Sequence, residues 1–153
     1  MGKIVLATII ISGSAKWLLK VGGNKEKWYG SDRIFMYVMT VFGVMTVNYS
    51  EQCTEYGWVV SNLRLLAGCL LAGGLLSAAY MDRRNCWVYN YVWWWCLPWA
   101  GILGLTAGGG FHGIVAVLVF VMLQQLLFSR MYGKADCHAF SVCALAECGN
   151  AVG

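Results

Sequence analysis

The chain is poor in charge. Of its 153 residues only 12% are Asp, Glu, Lys or Arg, about half the share found in an ordinary soluble domain. Acids are scarcest, seven in all: Glu26, Asp32, Glu51, Glu55, Asp82, Asp136 and Glu147. Proline occurs once, at Pro98, which excludes a proline-rich disordered or collagen-like chain. Seven cysteines are present, but Cys53, Cys69, Cys86, Cys96, Cys137, Cys143 and Cys148 include no CxxC pair. Their odd number also disfavours a complete disulfide framework. Most stand inside apolar runs, where cysteine behaves as a small hydrophobe. The clustered ligand spacing of a zinc site is missing, so neither a metal nor another cofactor is expected. The net charge is only +4, and the basic residues fall between apolar runs rather than in one block, which excludes nucleic acid as a partner.

Hydrophobic residues take the place of charge. They make up 59% of the chain, and the mean hydropathy is +0.62. A spanning helix needs about 20 predominantly apolar residues. Four runs approach that length: Ile34 to Val47, Leu65 to Met81, Val88 to Leu105, and Phe111 to Phe128. An earlier run, Ile4 to Leu19, is interrupted by Lys16, which can snorkel to an interface. No small-residue cleavage site follows it as in a signal peptide. The last run, Cys137 to Cys148, is too short to span comfortably. The expected fold is all-α, a polytopic membrane bundle of about four to six transmembrane helices. Residues 1–64 would form N-terminal membrane helices and loops, and residues 65–153 the functional core.

Basic residues set the expected orientation through the positive-inside rule. Lys16, Lys20, Lys25, Lys27 and Arg33 separate the first two runs. The connection from Asn48 to Asn62 holds Glu51 and Glu55 and no basic residue. Arg83 and Arg84 follow the third run, Thr106 to Gly110 is uncharged, and Arg130 and Lys134 follow the fifth. This alternation puts Asp82 and Asp136 on one side, the cytoplasmic side, with one helical hairpin between them. His112 falls on the opposite side and is assigned no chemistry. The 19 glycines fit close helix packing in a membrane, and Gly108-Gly109-Gly110 an outer turn. Trp87, Trp93, Trp94, Trp95 and Trp99, with Tyr89 and Tyr91, fit an interfacial aromatic belt.

Carboxylates at membrane depth are costly and mark candidate functional sites. Two on one side suggest a dyad, in which mutual repulsion keeps one carboxyl protonated and the other ionised. The ionised member can take a proton from water while the protonated member donates to a carbonyl, the chemistry of peptide hydrolysis by an aspartic protease. Structural roles are also open at both positions. Asp82 can pair with Arg83 or Arg84, and Asp136 can cap the last helix.

The segment Asp82-Arg83-Arg84-Asn85-Cys86-Trp87-Val88-Tyr89-Asn90 resembles the first active-site motif of the type IV prepilin peptidases. There, an aspartate is followed six positions on by Ile or Val, then Pro, then Asn or Asp. Val88 and Asn90 match, and Tyr89 stands where the family has proline. Gly133-Lys134-Ala135-Asp136 is similar to the family's GxGD motif, with Ala135 in place of the second glycine. His138 occupies a position where the family often has lysine. The resemblance covers roughly Leu65 to Cys148. It implies a membrane-embedded aspartic endopeptidase that cuts the short basic leader from prepilin-like proteins at the cytoplasmic face of the cell membrane, typically after a glycine. Asp82 and Asp136 would be catalytic, Gly133 would let the chain turn tightly beside Asp136, and Ala135, Asn90 and His138 would be supporting residues. The partners implied are a prepilin-like substrate and membrane lipid. Nothing matches the cytosolic paired-CxxC region of the large members, so the short, peptidase-only branch is expected, without methyltransferase activity. The alternatives are a non-enzymatic small membrane protein, either a transporter subunit or an assembly scaffold, and an inactive peptidase homologue that binds prepilin-like helices without cutting them.

Overall fold

Every apolar run becomes a helix. The structure, a computed structural model, describes residues 2–22, 30–52, 57–106, 110–128 and 133–147. Within them lie α1 (Gly2–Val21), α2 (Gly30–Gln52), α3 (Trp58–Asn85), α4 (Asn90–Thr106), α5 (Gly110–Leu123) and α6 (Lys134–Glu147). A π-helical turn, Gln124–Phe128, continues α5. No strand occurs among the described residues, so the all-α expectation holds. Among the described residues two helices, Gly2–Val21 and Val59–Asn85, are both long and apolar enough to cross a membrane, and Arg33–Met45 and Val115–Leu127 are shorter apolar stretches, so the expected four to six spans are matched by helices but not by that many of spanning length. Lys25, Glu26, Lys27, Cys53, Glu55, Gly108, Gly109, Arg130 and Cys148 lie outside the described residues.

Helix α3 is the centre of the assembly. It packs against α1, α2 and α4, and α4 in turn packs against α6. Lys16 does not break α1; it is exposed while Ala7, Ile11, Ala15 and Leu18 form a buried stripe. Spacings of three and four residues bring these side chains to one face. The stripe meets α3 at Gly73, where an added Cβ would lie 1.9 Å from Ser14 Oγ and 2.9 Å from the Ile11 carbonyl oxygen. The next residue, Gly74, is rotated about 100° around the helix and receives α4 instead: a Cβ there would lie 2.5 Å from Cys96 Sγ. Two consecutive glycines thus let α3 take a close neighbour on each of two sides, the small-residue packing of membrane helices.

The buried side chains of α1, α2, α3, α4 and α6 make one continuous cluster, from Ala7 and Ile11 through Cys69, Met81 and Val92 to Val142. The division placed between residues 64 and 65 falls inside α3. The tryptophans of α4 also divide. Trp94 is exposed, as is Trp87 just before the helix, whereas Trp93 is buried at 6% exposure. The sequence-based belt therefore extends too far: Trp93 is a core residue.

Candidate active site

Asp82 lies in the last turn of α3. The helix ends at Cys86, whose backbone is left-handed (φ 50°) and whose N–H donates to the Asp82 carbonyl. Four residues, Cys86 to Tyr89, connect to α4, where the Val92 N–H closes the first turn on the Tyr89 carbonyl at 3.1 Å. Asn90 is the first helical residue and is exposed. The start of α4 and the end of α3 therefore stand together.

Asp136 lies in the first turn of α6. The Gly133 carbonyl accepts from Asp136 N–H at 3.0 Å and from Cys137 N–H at 3.2 Å. Gly133 is thus the capping residue and Asp136 the third helical position, where a carboxylate interacts favourably with the helix dipole. The expected tight turn at Gly133 does not depend on glycine. Its φ is outside the left-handed range, and an added Cβ would meet only Asp136 Oδ2, at an ordinary 3.6 Å. Ala135 is half-buried and packs on the core, so the methyl that replaces the motif's second glycine has a contact of its own.

His138 and Trp93 bring the two segments to one end. Their rings contact at a centroid distance of 5.8 Å, which sets the first turns of α4 and α6 side by side. His138 Nδ1 is hydrogen-bonded to the Lys134 carbonyl, which holds the ring along α6. Asp82, at the end of α3, and Asp136, at the start of α6, accordingly share one end of the bundle, through α4 as the common neighbour. Both are exposed. Among the described residues, neither carboxyl has a hydrogen-bond or ion-pair partner, and the two make no direct hydrogen bond to each other.

Neither the Asp82 ion pair nor an Asp136 cap is formed, although Asp136 at the third helical position complements the helix dipole. Arg83 lies over the Phe35 ring, 4.9 Å from its centroid. Arg84 donates to Tyr80 Oη at 2.9 Å. Neither guanidinium is taken up by Asp82. Asp136 is inside the first turn rather than at the cap. No cluster of metal-ligating residues occurs among the described residues.

Comparison with protein-family models, with curated proteins and with solved structures gives no match.

At the other end of α3, Arg64 was not anticipated from the run pattern. It is buried at 8% exposure and donates from Nη1 to the Leu103 carbonyl at 3.2 Å and to Thr106 Oγ1 at 3.0 Å. The last carbonyls of a helix lack intrahelical donors, and a cation there also complements the dipole. Arg64 thus closes the C-terminal end of α4. The only sequence signal was a lone arginine directly before the Leu65 to Met81 run. Tyr91 makes the equivalent contact at the site end. Its hydroxyl donates to the Leu18 carbonyl at 2.9 Å, tying α4 to the last turn of α1. Gly22 leaves the space, since a Cβ there would fall 2.3 Å from that hydroxyl.

Proposed function

We propose that the chain is a polytopic protein of the cytoplasmic membrane and an aspartic endopeptidase of the prepilin-peptidase type, with Asp82 and Asp136 as its catalytic pair. The observation that carries the proposal is that both aspartates come to one end of the bundle with exposed, unengaged carboxyls, while the neighbouring arginines are occupied elsewhere. Exposed Lys16, Lys20, Arg33, Arg83 and Lys134 stand at the helix ends adjoining the same side, as the positive-inside rule requires of a cytoplasmic face.

Membrane insertion is supported by the outward faces as well as by the two long helices. On α2, Ile34, Tyr37, Val38, Val41, Phe42 and Met45 are all exposed. Their spacing makes a continuous apolar stripe. On α5, Leu118, Val119 and Met122 are exposed, and Leu126 in the turn that follows. Contiguous apolar surface of this extent is a liability in water, and hydrocarbon covers it.

In the proposed reaction one carboxylate takes a proton from water, and the resulting nucleophile attacks the scissile carbonyl. The other carboxyl, in its protonated form, donates to the carbonyl oxygen; as the gem-diol collapses, the C–N bond breaks, the first carboxyl returns its proton to the leaving nitrogen and the second takes back a diol proton. A short basic leader is opposite in charge to a site built from two carboxyls. The test is leader cleavage of a co-expressed prepilin-like substrate. Asp82→Asn and Asp136→Asn should each abolish cleavage while the protein stays inserted, and retained cleavage in either variant would refute the assignment.

A further inference from the structure

At its inner end α5 changes pitch. Gln124–Phe128 form a π-helical turn, a local widening that appears frequently at functional sites. The preceding stretch from Gly113 to Leu123 is wholly apolar, and Gln124 and Gln125 are the first amides in it. Gln125 is exposed. Gln124 is partly buried, and its Oε1 is shielded from solvent with no hydrogen-bond partner among the described residues. A buried acceptor left without a donor is destabilising, and leucine would fill the same place without that penalty.

The location of this acceptor connects it to the aspartates. The π turn packs against α6, the helix that carries Asp136 and His138. Gln124 precedes the α5–α6 connection by about as many residues as His138 follows it, so in an antiparallel hairpin the two stand at one level. Among the described residues, α5 has no close helical neighbour other than α6. It is the helix of the bundle that can shift with least loss of packing.

A helix must unwind around a bond that is to be hydrolysed, and at the membrane face unwinding leaves main-chain N–H groups without their helical acceptors. We propose that Gln124 is a substrate-positioning residue: its Oε1 accepts a main-chain N–H of the extended segment flanking the scissile bond, and the substrate approaches from the α5 side as that helix moves outward. The inference rests on the peptidase assignment above and adds the residue that holds the unwound segment.

The test uses the full chain in mild detergent. The probe is a synthetic peptide with a short lysine-rich leader, a glycine and an apolar helix of about 20 residues. A series of copies each replaces one main-chain N–H near the glycine by N-methyl, leaving the scissile amide intact. Gln124→Leu should lower kcat/KM by about tenfold, mainly through KM, the size expected for one hydrogen bond. One N-methylated copy should lose a similar factor with the wild type and nothing further with Gln124→Leu. The thermal midpoint of Gln124→Leu should equal or exceed that of the wild type. Equal kcat/KM for both proteins, the same N-methyl penalty in both, or a lowered midpoint overturns the inference. A wild type that cleaves no probe overturns the peptidase assignment instead, and the inference with it.

Discussion

Replacing Gly73 by alanine tests the crossing of α1 and α3, on which the position of every later helix depends. The new methyl would arrive 1.9 Å from Ser14 Oγ, 2.9 Å from the Ile11 carbonyl oxygen and 3.1 Å from Ser14 Cβ. Ser14 Oγ can leave only by giving up its bonds to the Ile10 carbonyl at 2.8 Å and the Ile11 carbonyl at 3.1 Å. The Ile11 oxygen belongs to the backbone, so α1 itself must retreat and loosen the stripe of Ile11, Ala15 and Leu18. Overpacking of this kind costs about 1–3 kcal/mol, and the lost serine bond about 1 kcal/mol more. Alanine regains about 1 kcal/mol over glycine through helix propensity. The net expectation is destabilisation by about 2 kcal/mol, measured by reversible unfolding in mild detergent. Ser14→Ala removes the closest obstacle and should recover roughly half of the loss when combined with Gly73→Ala, a coupling characteristic of residues in contact. A Gly73→Ala protein as stable as the wild type would refute the reasoning, because propensity would then outweigh a contact too loose to matter.

Two further substitutions test the helix ends. Cys86 holds a left-handed backbone at the C-terminus of α3, a conformation that suits glycine. Cys86→Gly should raise stability by about 1 kcal/mol, whereas Cys86→Val should lower it; the order of their unfolding midpoints checks this. Arg64→Leu removes the donor to Leu103 and Thr106 and should cost roughly 2 kcal/mol. An unfolding free energy within about 0.5 kcal/mol of the wild type would show that the buried guanidinium contributes nothing net.

Helix number and position were legible in the amino-acid pattern because hydropathy is a long-range average that survives single exceptions such as Lys16. The alternation of basic and acidic connections put Asp82 and Asp136 on one side, and the packing of α3, α4 and α6 is compatible with one shared end. What the pattern does not encode is the direction in which individual side chains point. Arg64 stands outside a run by composition, yet α3 begins a turn and a half before it, so the residue is inside the helix and faces α4. Trp93 and Trp94 are equivalent by composition, but one is buried against His138 and the other is exposed. Gly73 and Gly74 announce close packing without saying that one receives α1 and the other α4. The π turn is invisible to hydropathy, since Leu126, Leu127 and Phe128 continue the apolar run across it. At the site, Gly133 looked like a conformational requirement. It is a cap whose missing side chain leaves ordinary room beside Asp136, because the helix starts there without a left-handed residue.

The central claim is that Asp82 and Asp136 act as one catalytic unit, and comparing single and double substitutions in the leader-cleavage assay tests it most directly. Groups that act together are strongly non-additive. Asp82→Asn and Asp136→Asn should each lower the single-turnover rate by about a thousandfold or more, and the double variant should be no slower than the worse single. Losses that multiply in the double variant would show two independent roles, and a single variant that retains wild-type cleavage would show that the pair is not the catalytic centre.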